Sequence, residues 1–120
     1  MRSREYIFFG TLLLGTLSLL SEGRAAEEAY TLTVKDHRFS PGELKVPAGR
    51  KVRIVVDNQD PTAEEFESYD LNREKVVSGN SKITLFVGPL KPGTYKFFGE
   101  FHQDTAQGVL VAVESKEGIV

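Results

Sequence analysis

Two groups of side chains in this 120-residue chain are of the types that do chemistry. Glu64, Glu65 and Glu67 put three carboxylates within four residues, and Glu100, His102, Asp104 and Gln107 crowd the short stretch that follows Gly99. On a strand, Glu65 and Glu67 share one face and Phe66 takes the other, because side chains alternate with period 2. Carboxylates with one imidazole are hard to borderline ligands, suited to iron, manganese or Cu(II), whereas Cu(I) wants thiolate or thioether sulfur. The only sulfur in the chain is Met1, and there is no Cys. That excludes disulfides, zinc ribbons, iron-sulfur clusters, thiol nucleophiles and blue copper together. Clustered carboxylates must hold protons, pair with cations or bind a metal, and Arg73 and Lys75 are the side chains available for the second role. No Ser-His-Asp pattern, Gly-rich phosphate loop or general-acid pair stands at a diagnostic spacing.

Short strands must position these groups. Leu32 and Val34 alternate with polar neighbours over 30–36, and Glu43 to Val46 is a second short strand. Val52, Ile54 and Val56 face one way over 51–58, and Ile83, Leu85 and Val87 do the same over 82–87. Between them, 71–77 is read as a loop and a short strand. Gly93 to Val113 reads as strand, polar loop, strand, with Tyr95, Phe97, Val109, Val111 and Val113 as the inward set and Phe98 opposite Phe97. Turn residues separate all of these, and no segment longer than ten residues has helical periodicity. The fold class is therefore all-β, a Greek-key sandwich of about eight strands.

The first 25 residues read differently. Arg2 and Arg4 precede an apolar run from Ile7 to Leu20, and Gly23-Arg-Ala25 offers a cleavage site with small residues at its first and third places. Residues 1–25 are predicted to be a signal peptide, the run being short of the ~20 residues that span a membrane. Residues 26–120 form one domain, expected in the periplasm and not transmembrane after processing. That remainder carries 12 basic against 15 acidic residues, too mild and mixed for nucleic-acid binding, which needs a basic stripe.

The C-terminal hairpin resembles that of cupredoxins, whose loop holds copper with Cys, His three residues on and Met five further. Those places here hold Gly99, His102 and Gln107. The run Phe39-Ser-Pro-Gly-Glu-Leu-Lys-Val-Pro-Ala-Gly49, followed by a strand ending in Asp57-Asn58, is similar to the N-terminal half of the same fold. The family's first His ligand falls at Glu64 or Glu65. What the resemblance implies is a cupredoxin with altered or lost metal chemistry, in which Glu65, Glu67, Glu100 and His102 meet at one end of the sandwich, extended by Glu64 and Asp104. Gln107 takes the axial place, and His37 is a surface His or a second metal contact.

Glu-Phe-Glu in an exported, Cys-free cupredoxin also resembles the small proteins that accompany bacterial ferrous-iron permeases, of the Ftr and EfeO types. That similarity implies binding of iron (Fe2+/Fe3+) before delivery to periplasmic or membrane components of a permease, and leaves open whether a ferroxidase-type activity accompanies it. The alternatives are a Cu2+ carrier without type 1 copper, using His102 with the carboxylates, or a metal-free interaction domain on a decayed site.

Overall fold

A computed structural model describes residues 28–114; the signal-peptide expectation and the start of the domain lie outside them. Nine strands run in chain order: β1 (Ala29–Lys35), β2 (Arg38–Ser40), β3 (Glu43–Pro47), β4 (Val52–Asn58), β5 (Glu64–Ser68), β6 (Arg73–Val77), β7 (Ser81–Val87), β8 (Gly93–Gly99) and β9 (Gln107–Val113). One 3-10 turn, Glu100–His102, links β8 towards β9. The strands form two sheets, ordered β2-β1-β4-β7 and β3-β9-β8-β5-β6. The all-β sandwich expected from the sequence is present, with one strand more than about eight because Arg38–Ser40 pairs back on β1.

Alternation decides what each sheet buries. Val52, Ile54, Val56 and Asn58 of β4 point inward, and Leu32 and Val34 of β1 join them. Phe39, Phe66 and Phe97 form the aromatic centre between the sheets, with ring centroids 5.1 to 6.2 Å apart, the separation at which offset and edge-on rings attract. The sequence reading of β9 is corrected here. Leu110 and Ala112 are its buried residues, Val109 and Val111 are half-buried on the outer face, and Val113 is exposed. Every residue from Val109 to Val113 is apolar, so periodicity cannot choose a face; Gly108 chooses it. A Cβ there would lie 2.5 Å from Phe97 Cζ, which seats Gly108, and with it Leu110 and Ala112, beneath the core rings.

A buried polar knot sets the entry into β5. Asn58, 1% exposed, donates from Nδ2 to the carbonyls of Thr62 (2.9 Å), Ser78 (3.1 Å) and Val77 (3.3 Å), and accepts from the Asp60 N–H at 3.0 Å. Asp60 in turn accepts from the N–H groups of Asp36 (2.7 Å) and His37 (2.9 Å), both in the left-handed region with φ of 54° and 58°. Burial tends to raise the Asp60 carboxyl, but the two N–H donors, with the His37 and Lys35 charges, outweigh it and hold Asp60 below its ordinary value. The knot thus fixes both where β5 begins and where His37 sits.

Candidate metal centre

Strand β5 has a burial pattern that alternates through Glu64, Phe66 and Ser68 inward and Glu65 and Glu67 outward. The consequence is that its three carboxylates serve two different places. Ser68 continues the inward row, its hydroxyl donating to the Lys96 carbonyl at 2.6 Å and accepting from the Leu71 N–H at 3.0 Å. This ties β5 to β8 and to the turn that leads into β6.

The inner place belongs to Glu64, which is 1% exposed. Its Oε1 accepts from the N–H groups of Phe101 at 2.9 Å and Glu65 at 3.0 Å. Its Oε2 lies 2.7 Å from His102 Nδ1, which donates to it. The His102 ring stacks on His37, centroids 3.5 Å apart and 11° from parallel. Thr105 Oγ1 donates to the His37 carbonyl, joining the two segments a second time. The 3-10 turn that presents His102 is closed by Ala106 N–H to His102 O at 2.8 Å and by Gly99 N–H to Ala106 O at 2.9 Å.

The outer place belongs to Glu65, Glu67 and Glu74. One carboxylate oxygen from each lies within 4.8 Å of the others. Antiparallel pairing of β5 with β6 sets Glu67 directly opposite Glu74 and Glu65 opposite Val76, and like charges directly opposite on one face repel. The Glu65 carboxyl is raised, first by its side-chain hydrogen bond with Glu74, then by loss of solvent and the charges of Glu74, Glu67 and Glu100. Glu67 is raised by loss of solvent and by the Glu74 and Glu100 charges. Arg73 and Lys75 do not relieve the repulsion. They alternate with Glu74, so they sit in register with Ser68 and Phe66 on the opposite face. Arg73 instead donates from Nε to Phe86 O at 2.8 Å and from Nη1 to Asn72 O at 2.9 Å. Among the described residues the acid–base side-chain contacts are Lys45 with Glu43 at 3.9 Å and the hydrogen bond of His102 with Glu64 at 2.7 Å.

The side chains implied to meet at one end are therefore divided by the sheet. His102 goes with Glu64, while Glu65 and Glu67 lie on the outer face, where the Glu100 charge reaches both. Asp104 is exposed in the turn beyond the 3-10 segment and is outside the carboxylate group. Gln107 is exposed and braces the loop, donating to the Gln103 carbonyl at 2.7 Å. Glu74 is the member that the sequence reading missed. Asp70 and Asn72 mark a tight turn after β5, and an antiparallel return from it would have faced Glu74 to Glu67.

The cupredoxin-like domain model matches residues 7–112. The chain belongs to the cupredoxin-like domain family. It is 51% identical over 80 residues to an uncharacterized protein of Rickettsia prowazekii (strain Madrid E), spanning 67% of this chain and 64% of that one. The solved structures with the same fold include auracyanin A, a "blue" copper protein from Chloroflexus aurantiacus. It aligns at TM-score 0.62 and 16% identity over 73% of this chain and 100% of that one. Amicyanin from Paracoccus versutus aligns at TM-score 0.57 and 13% identity over 72% of this chain and 82% of its own. The metal-binding domain of the Streptococcus pneumoniae Cu(I)-exporting ATPase aligns at 0.61 and 13%, over 72% and 85%. At these identities the likeness is one of fold.

A type 1 copper centre does not fit this member of the family. The chain has no Cys to supply the thiolate. A Cβ on Gly99, at the thiolate's place, would lie 2.6 Å from Glu64 Cδ and 2.7 Å from Ala106 Cβ, well inside the ~3.5–4.0 Å of carbon contact.

Proposed function

We propose that this cupredoxin-like protein is a metal-binding accessory of iron uptake that holds iron on the outer face of its five-stranded sheet, through Glu65, Glu67 and Glu74 with Glu100 beside them. The observation that carries this reading is the outer triad itself. Three carboxylate oxygens lie within 4.8 Å of one another, with no Arg or Lys paired to them among the described residues. Such a group is under strain when empty and relieved by a multivalent cation, and oxygen ligands suit hard ions. An all-carboxylate site holds Fe(III) more tightly than Fe(II), so it lowers the reduction potential of the bound couple and favours the ferric state. The exported localisation read from residues 1–25, and delivery to a permease in or at the membrane, complete the proposal. It is also the setting of the Ftr- and EfeO-type proteins that the sequence resembles. Cu(II) is the competing cargo, because it outcompetes most divalent ions at N/O sites.

Thermal unfolding tests the site. Fe(III) supplied as a soluble chelate, or Ga(III) as a redox-inert mimic, stabilises a protein that binds it only when folded by about 2.7 kcal/mol at a hundredfold excess over Kd. For a domain of this size that is ~10–20 °C in Tm. E65Q/E67Q keeps size and polarity, folds, and loses the shift. A wild type whose Tm ignores Fe(III) and Ga(III) refutes the reading. A response to Cu(II) alone transfers the triad to copper.

A further inference from the structure

The inner site carries an inference of its own, independent of the outer triad. Three positions, Glu64, His102 and Gly99, converge on one point at the end of the sandwich. Glu64 Oε2 is 2.7 Å from His102 Nδ1, and a Cβ on Gly99 would lie 2.7 Å from that same oxygen and 2.6 Å from Glu64 Cδ. The backbone of Gly99 is ordinary extended chain, φ −98° and ψ 113°. A larger residue is therefore excluded by the Glu64 carboxyl group and by Ala106 Cβ, and not by backbone strain. The carboxyl group is buried and anchored by the Phe101 and Glu65 N–H groups and by the His102 ring.

We propose that Glu64 and Gly99 are a matched pair that seals this end of the sandwich from inside, the carboxylate taking both the space and the His102 nitrogen that a bound metal would need. Glu64 is then the positioning residue of the 99–106 loop. It links β5 to the 3-10 turn through two acceptor oxygens. His102 is a partner of Glu64 and not a metal ligand through Nδ1. The pairing also explains why the two departures from the copper pattern occur together. A side chain at position 99 crowds a carboxylate at 64, so the glycine and the glutamate accommodate each other.

The test is a Cu(II) titration followed by visible absorbance on wild type, G99C and E64H/G99C, each checked for folding by circular dichroism. E64H/G99C brings two imidazoles and a thiolate to the convergence point, a donor set that suits copper. We expect an intense thiolate-to-copper charge-transfer band at one copper per chain in E64H/G99C, and none in wild type or G99C. An equally intense band in G99C alone, or none in a folded E64H/G99C, overturns the pairing. If E64H/G99C does not fold, the ring nitrogen shifts of His102 in the wild type decide. Both stay in place on adding one equivalent of Zn(II) if Glu64 holds the ring, and a coordination shift at Nδ1 overturns the proposal.

Discussion

Replacing Gly99 with Ala adds a single methyl group, and the structure says what it meets. Three atoms stand at 2.6 to 2.7 Å: Glu64 Cδ, Glu64 Oε2 and Ala106 Cβ. In an extended segment with no such neighbours, Gly→Ala is expected to stabilise by ~0.4–1 kcal/mol through the unfolded chain. Here the overlap must be relieved by moving an anchored carboxylate or the loop at Ala106, and overpacking of this kind costs about 1–3 kcal/mol. The net expectation is a loss of about 1–2 kcal/mol, or ~5–15 °C in Tm at the 4–8 °C per kcal/mol of a small domain. Glu64→Ala removes the carboxylate and orphans the Phe101 and Glu65 N–H groups and the His102 ring, a loss of about 3 kcal/mol or more. In the double variant the methyl group enters space that the carboxylate has left, so the two losses should fall short of their sum by about 1–2 kcal/mol. Denaturant unfolding of all four proteins measures this coupling. Losses that add within ~0.5 kcal/mol, the behaviour of independent sites, would refute the steric argument, as would a G99A protein as stable as wild type.

Two pH effects follow from the carboxyl shifts. Asp60 is depressed in the folded protein, so its contribution is present above the ordinary carboxylate range and fades as pH falls through its folded value. D60N should therefore lower Tm at pH 7 and converge on wild type in strong acid, and a constant gap across the titration would contradict the assigned hydrogen bonds. Glu65 and Glu67 are raised, so their contribution is complete below the ordinary range and is lost as pH climbs through the raised values. Metal-free E65Q/E67Q should match wild type near pH 4 and melt higher at pH 7, and a variant that melts lower at neutral pH would mean that the glutamates find cations after all.

Most strands were legible in the sequence because their apolar residues fall predominantly on one parity. Val52, Ile54 and Val56 outweigh the lone Val55 of the other parity, and β4 buries them. Legibility failed where both parities carry the same chemistry. Val109-Leu-Val-Ala-Val113 is apolar throughout, so the inward face was decided by Gly108 beneath Phe97, a contact that periodicity does not encode. The division of the candidate site between the two faces of one sheet was illegible for a related reason. Glu64 and Glu65 are chemically alike and adjacent, and the sequence placed the family's first ligand at either. The turn ahead of β5, fixed by the Asn58 and Asp60 hydrogen bonds, and the burial of Phe66 together set which of them faces inward.

That choice has consequences for everything downstream of it. If Glu65 faced inward, Glu64 and Phe66 would face out, the aromatic centre would lose Phe66, and Glu67 would be buried beside Phe97. Phe66 is 1% exposed and sits between Phe39 and Phe97, so its burial of a whole aromatic ring, worth several kcal/mol, pins the parity of the strand. With Phe66 inside, Glu64 is carried to the interior end and needs a donor there. His102 and two backbone N–H groups supply it, and the absence of a side chain at Gly99 supplies the room. The same parity carries Glu65 and Glu67 to the outer face, where the pairing of β5 with β6 adds Glu74 and sends Arg73 and Lys75 the other way. One buried phenylalanine thus produces both halves of the arrangement: an inner carboxylate held by His102 and two backbone N–H groups, and an outer group of carboxylates that no Arg or Lys pairs among the described residues.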